Sequence, residues 1–340
     1  MENQKPKIVV ITPVKNEAWI LDRFLAVTSE FADHIIIADQ NSIDGSQDIC
    51  QKYPKVTLIE NKAEKFNESE RQLLLIQAAR DLVPEHKIIL ALDADEILAA
   101  NAIHTQSWQA MLKAKPGTVL FFEKPDLFVT THQCLRTGIL TPLGYVDDGA
   151  EHQPQKIHSV RIPVPEYATR LHIHDIKVMH YALTRLDAQA SKLRLYSVIE
   201  NVLEVGHPIG RRSRYPSKPD YLSLGKVETA AQEWFTGWEE RGIDMHTIIK
   251  QKYYHYDFEV LRYFYKYGIQ RFWMEDIWAY DWEACRQYAQ SIGMTNIPDY
   301  QIPRISKKID LMRIADVTMS MSTQSYIYLA SVLKPAMKLG

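Results

Sequence analysis

The sequence predicts an α/β protein built on a parallel sheet and followed by a mainly helical region, and three observations predict it. Between Lys7 and Asp93, short β-branched runs alternate strictly with segments of helical apolar spacing. Those runs are apolar throughout, as strands covered on both faces require. Beyond Arg185 the strand-like runs stop, and five of the seven tryptophans lie past Ala230.

Each element can be justified in order. "KIVVIT" (Lys7 to Thr12) is a first strand, and Ala18 to Phe31 a helix with apolar residues at Trp19, Ile20, Phe24, Leu25 and Val27. "HIIIAD" is the second strand, "SQDICQKY" a short helix and "KVTLIE" the third strand. Asn67 to Leu82 reads as the third helix and "HKIILALD" as the fourth strand. Past Ala100 the pattern loosens to a helix in "SWQAMLKA" and a strand in "GTVLFFEK". "TPLGYVDDGAEHQPQ" reads as a Gly- and Asp-rich loop leading to "KIHSVRIPV", and "IKVMHYAL" carries the last of five histidines between His152 and His180. The expected domains are residues 1–181 and a helical, aromatic-rich region over 182–340, joined through the Pro- and Arg-rich "GHPIGRRSRYPSKPDY".

Composition narrows the function. A net charge of −2 over 340 residues gives no electrostatic case for nucleic acid or an acidic membrane surface. Three scattered cysteines, without CxxC spacing, fit a reducing compartment better than a disulfide framework or a zinc site. The polar N-terminus lacks the long apolar region of a signal peptide, and no stretch suffices to cross a membrane. A cytoplasmic protein is expected.

The chemistry gathers at strand ends, where ligands bind in such sheets. Thr12, Asp39 and Asp93 all end predicted strands. "IILALDADEIL" places Asp93, Asp95 and Glu96 directly after an apolar run, where like charges need a cation among them. In an extended segment residues i and i+2 point the same way, so Asp93 and Asp95 could share one Mg²⁺ or Mn²⁺ that grips phosphate oxygens.

"ITPVKNEAWILDRFL", "HIIIADQNSIDGSQDI", "FNESERQ" and "LDADEIL" follow one another as in family 2 glycosyltransferases of the GT-A fold, which the chain resembles closely over its first hundred residues. The resemblance is strongest to bacterial enzymes that build lipopolysaccharide core, O-antigen or capsule sugars. It implies a metal-dependent transfer, inverting at the sugar, from a nucleotide-sugar donor (UDP-sugar first) to a saccharide or lipid-linked acceptor. Thr12, Pro13 and Glu17 match the loop that lines the nucleoside pocket. Asp39 matches the acid that contacts uracil or ribose, with Asp44 in the following turn beside Gly45. Arg71 matches the basic residue that reaches toward base and diphosphate, and Asp93 and Asp95 the metal and ribose-diphosphate motif. Gln40 and Glu68 depart from the family pattern and put nucleotide preference in question.

A downstream histidine often completes the metal site in this fold, and His180 is the choice over His158, His172 and His174. A core histidine on a strand is the plain alternative. For the base that takes the acceptor proton, the loop offers Asp147, Asp148 and Glu151, against the alternative of a solvated acidic loop. Arg211 and Arg212, in "RRSR", are candidates for acceptor phosphate or anionic lipid, against a solvated charge run. Tyr254, Phe258, Leu261, Tyr265 and Ile269 form a helical stripe that reads as a core face. The tail "SYIYLASVLKPAMKLG" could touch a membrane peripherally. Two other classes stay open. A nucleotidyltransferase would show a Gly-rich phosphate loop after its first strand, and "TPVKNEAW" has no glycine. The other is a non-catalytic nucleotide-sugar-binding protein, against which Arg71, Asp93 and Asp95 argue.

Overall fold

The computed structural model describes residues 5–61, 67–154 and 159–304. Phe66, His158 and the amphipathic tail lie outside the described residues. The chain divides into two compact units: Met1–Leu186 with Asp220–Lys250, and Asp187–Pro219 with Gln251–Gly340.

The first unit carries the strands β1 (Lys7–Val14), β2 (His34–Asp39), β3 (Val56–Glu60), β4 (Lys87–Ala91), β5 (Glu96–Leu98), β6 (Val119–Glu123), β7 (Asp126–Leu127), β8 (Gln133–Arg136), β9 (Leu140–Val146), β10 (Arg170–His180) and β11 (Lys226–Thr229). Its sheet runs β11-β8-β7-β10-β6-β9-β4-β1-β2-β3, with β5 paired to β10. β1 is parallel to β2 and β4, and β2 to β3. β9 is antiparallel to both β4 and β6, so β6, and β10 beside it, again run with β4.

Helices α1 (Ala18–Phe31), α2 (Ser46–Cys50), α3 (Glu68–Leu82) and α4 (Gln106–Leu112) connect these strands. Strand periodicity divides the core. Ile8, Val10, Val14, Ile35, Ile37, Ile88 and Leu90 pack with Phe24, Leu25 and Trp108 on one face. Val9, Ile11, Ile36, Ala38, Ile89 and Ala91 pack with Leu75 and Ile76 of α3 on the other. At roughly 25 cal/mol per Å² of apolar surface removed from water, these two layers dominate the stabilisation of the unit.

One expectation is corrected here. The segment read as a loop from Thr141 contains most of β9. Pro142 and Gly144 break its apolar pattern, yet the glycine is what lets the strand in: a Cβ there would lie 2.9 Å from Leu120 Cδ1 and Leu90 Cδ2.

In the second unit, α5 (Leu186–Val202) and α6 (Pro208–Arg214) come first. The chain then supplies α7 (Thr236–Glu239) to the first unit before α8 (His255–Tyr267) and α9 (Trp282–Ser291). The helical C-terminal character is present. The buried face of α8 is Asp257, Val260, Leu261 and Phe264, with Phe264 against Phe272, Trp278 and Trp282. Tyr265 of the expected stripe is 56% exposed, because the aromatics that fill this core come from the segment after α8. No helix among the described residues is long and apolar enough to cross a membrane.

Candidate functional site

The carboxyl ends of β1, β2, β4, β6 and β10 all fall on one edge of the sheet, which brings most of the expected residues together. Thr12 is fully buried on β1, and its Oγ1 has no hydrogen-bond partner. Asp39 ends β2 at 4% exposure. Its Oδ2 accepts from Ser42 N (3.0 Å) and Gln47 Nε2 (2.6 Å), while Oδ1 is a buried acceptor without a partner. Period-two alternation separates these two from their neighbour Pro13. Thr12 and Asp39 fall in phase with the α1 face, whereas Ile11 and Pro13 line a cleft on the α3 face with Arg71, Gln72, Leu75, Ala91 and Arg161.

Glu17 and Asp44 form a clasp between two loops. Asn16 N, Glu17 N and Ala18 N donate to Ser42 Oγ (2.8 Å), Ser46 Oγ (3.0 Å) and Asp44 Oδ2 (2.9 Å). Ile43 N returns a bond to Asn16 Oδ1 at 2.9 Å. The amides at the start of α1 are thus satisfied by the neighbouring loop, which holds both loops in register. Gly45, at φ 90°, makes the bend. The Glu17 carboxylate accepts from Trp19 Nε1 at 2.7 Å.

The acidic run answers its own charge differently from the expectation. Asp93 to Glu96 is a turn, with Glu96 N bonded to Asp93 O at 2.9 Å, so the same-side argument for Asp93 and Asp95 does not hold. Asp93 Oδ2 accepts from Arg161 NH2 at 2.7 Å. Glu96, fully buried, takes Arg161 NH1 at 2.5 Å and Lys124 Nζ at 2.9 Å. Burial opposes the Glu96 charge, but Arg161 and Lys124 outweigh it and hold the carboxyl well below the usual carboxylate range. Asp95 instead faces His180, whose Nε2 lies 3.5 Å from Asp95 Oδ2 and whose Nδ1 lies 2.5 Å from Asp126 Oδ1. Burial and Lys124 oppose a proton on His180; Asp95 and Asp126 prevail and push it up to about 9.

These groups do not fit a divalent cation as they stand. Among the described residues, no group of three or more His, Cys, Asp or Glu side chains is arranged to hold a metal ion. Asp93 is engaged by Arg161, and His180 by Asp126 and Asp95. The sequence reading missed Arg161, Lys124 and Asp126. Lys124 ends the predicted strand "GTVLFFEK" and Asp126 follows it, and the logic that selected Asp93 applies equally there. Arg161 left only a lone basic residue in "VRIPV" as a signal.

Two expected carboxylates are not at this end. Because β9 is antiparallel, Asp147 emerges beside Lys87 at the amino end of β4, with Asp147 N bonded to Lys87 O at 3.1 Å. Asp147 is buried between Arg80 (2.8 Å) and Lys87 (3.4 Å), and Asp148 accepts from Tyr145 Oη and Ala150 N. Glu151 is exposed, next to His152. Nor are Arg211 and Arg212 displayed to an acceptor. Arg211, 4% exposed, bonds Glu275 at 2.7 Å and the carbonyls of Val205 and Gly206. Arg212 bonds Met274 O and lies 3.7 Å from Asp276. Each cation is spent inside the second unit.

His152 packs against the cleft's Gln72, with Nε2 at 3.0 Å from Oε1. Burial, and secondarily Arg80, push its pKa down to about 4. As pH falls from about 6.5 toward 4, the unfolded chain takes up a proton that the folded protein refuses, so stability should be lost across that window, by up to roughly 3 kcal/mol. Denaturant melts of the wild type and His152→Gln over this range check it: the variant should lack the slope.

A sheet of this topology, with acids, arginines and a cleft at its carboxyl edge, defines a mixed α/β fold with a central sheet, followed by a helical region. Residues 9–107, under a third of the chain, match the family model described as Glycosyl transferase family 2. No protein of curated function matches the chain significantly. Among solved structures, it is similar to a 4-diphosphocytidyl-2C-methyl-D-erythritol synthase (16% identity over 35% of this chain and 60% of that one, TM-score 0.28). It is likewise similar to that enzyme from Anaerococcus prevotii DSM 20548 (17% identity, 35% of this chain and 56% of that one, TM-score 0.26). A third likeness is to glucosyl-3-phosphoglycerate synthase from Mycobacterium tuberculosis, in complex with Mn²⁺, uridine diphosphate and glucosyl-3-phosphoglycerate (15% identity, 36% and 44%, TM-score 0.26). The chain thus spans 44% to 60% of the length of these structures, and at these scores the likeness carries no argument about activity.

Proposed function

We propose that the first unit binds a nucleotide-sugar donor, a UDP-sugar in the first instance, and transfers its sugar to a saccharide or lipid-linked acceptor in cell-surface glycan synthesis. The observation that carries this reading is the cleft at the carboxyl ends of β1 and β4, lined by both Arg71 and Arg161. Two guanidinium groups on one cleft suit a diphosphate, which accepts forked N–H donors. The apolar lining of Ile11, Pro13, Leu75 and Ala91 suits the face of a base or ribose. Asp39 ends β2 at the same carboxyl edge but on the α1 face, outside the cleft lining, and its buried, unsatisfied oxygen would accept from a base N–H or a ribose hydroxyl that reaches over that edge.

In an inverting transfer the acceptor oxygen bonds to the anomeric carbon, the bond to the diphosphate breaks, and a carboxylate receives the acceptor proton. Asp147 and Asp148 stand at the other edge of the sheet. Asp95 and Asp126, which share His180 at the open end, replace them in this reading. A divalent cation on Asp93 would first have to displace Arg161.

Calorimetric titration of the whole protein with UDP tests the reading. Binding is expected, and Asp39→Ala should weaken it about tenfold or more, as the loss of a hydrogen bond to a charged group does. Absence of binding by UDP and by the other nucleoside diphosphates overturns it. Unchanged affinity in Asp39→Ala would remove Asp39 from the pocket.

A further inference from the structure

The expected metal motif is already occupied by the chain's own positive charge. Arg161 reaches Asp93 Oδ2 (2.7 Å), both Glu96 oxygens (2.5 and 3.0 Å) and Ala91 O (3.3 Å). Its side chain keeps 24% of its surface exposed, and it lines the cleft that Arg71 also lines. Lys124 serves Glu96 from the other side. Two carboxylates against two fixed cations leave Asp93 and Glu96 neutralised before any ligand arrives. A divalent ion placed on Asp93 would meet the Arg161 charge at close range, where low dielectric magnifies repulsion. Arg161, by contrast, is anchored on the buried Glu96 and lines the cleft, and the N–H it gives to the half-buried Asp93 is the donor a phosphate oxygen would take over.

We infer that Arg161, with Arg71, is the resident counter-ion for the donor's diphosphate, so that binding of the nucleoside diphosphate does not depend on a divalent cation. The inference rests on the cleft being a nucleotide-sugar site. Arg161 would hold the diphosphate oxygens and take up the negative charge that grows on the leaving group, the part played elsewhere by a Lewis-acid ion. Asp93 then acts as a positioning residue. It orients Arg161 in the empty cleft and competes with the diphosphate for its N–H groups.

UDP is titrated calorimetrically into the full chain in EDTA and in MnCl₂, for the wild type, Arg161→Gln and Asp93→Asn. Under the inference, wild-type affinity is the same in both buffers. Arg161→Gln loses about tenfold to a hundredfold, as removal of a charged fork predicts. Asp93→Asn binds UDP several-fold more tightly, because a competitor for Arg161 has gone. A metal-ligand Asp93 gives the opposite result in that variant: Mn²⁺-dependent binding that is lost. Mn²⁺ electron paramagnetic resonance adds a readout free of the nucleotide: the wild type should leave the ion hexa-aquo, and Arg161→Gln should take it up on the freed Asp93. Wild-type binding that appears only with Mn²⁺ overturns the inference while leaving the donor site intact. Failure of any nucleoside diphosphate to bind in either buffer overturns both. Should Arg161→Gln not fold, the Asp93→Asn result and the buffer comparison decide the matter alone.

Discussion

Arg211→Ala is expected to destabilise the second unit by about 3–5 kcal/mol, the cost of leaving a buried acid without its partner. Glu275 is fully buried, and without Arg211 it keeps only Ser197 Oγ (2.7 Å) and Asn201 Nδ2 (2.8 Å). The carbonyls of Val205 and Gly206 lose their donor as well, which frees the turn before α6. The loss should appear as a melting transition lowered by roughly 10 °C or more. Replacing both partners, in Arg211→Met with Glu275→Leu, should recover most of it, since the desolvation of both ions is then avoided. An Arg211→Ala protein that melts like the wild type and shows only a raised acceptor KM would restore the acceptor role that the sequence suggested.

Glu96→Gln should have a comparable effect in the first unit, for the mirrored reason. It leaves Arg161 and Lys124 facing a neutral amide, with two buried or half-buried cations short of a counter-charge. A loss of about 3 kcal/mol or more is expected. The pH dependence carries a second signature. The folded-state pKa of Glu96 is depressed, so its contribution is fully present above the unfolded carboxyl value near 4.3 and is lost as pH falls through the folded value. The wild type should therefore show an acid limb below about pH 4 that Glu96→Gln flattens. That window lies below the one assigned to His152, so melts across pH separate the two groups. An acid limb unchanged in Glu96→Gln would mean that Arg161 and Lys124 do not hold this carboxylate charged.

Both outcomes trace back to how much of the site could be read before the fold. The first four strands and three helices were legible because their signal is local: period-two and period-3.6 apolar patterns bounded by turn residues. The strand order of a parallel sheet then places Thr12, Asp39 and Asp93 at one edge, and the chain does so. His180 was chosen from the resemblance, as a downstream histidine on a late strand, and it ends β10. β9 was not, because the glycine that admits it between Leu90 and Leu120 reads locally as a loop residue. That one antiparallel strand reverses the loop after it and carries Asp147 to the opposite edge.

Charge partners were the other blind spot. Composition and motif determined that three acids after a strand need a cation, and that arginines near residue 211 need an anion. Which cation and which anion depends on residues far along the chain: Arg161 is 65 positions from Glu96 and 68 from Asp93, Lys124 is 28 from Glu96, and Glu275 is 64 from Arg211. The sequence alone determined the sheet, its carboxyl edge and the demand for compensating charge. Only the tertiary structure decided that the demand is met by Arg161, Lys124 and Glu275, because Coulomb interactions act through space and leave no periodic trace along the chain.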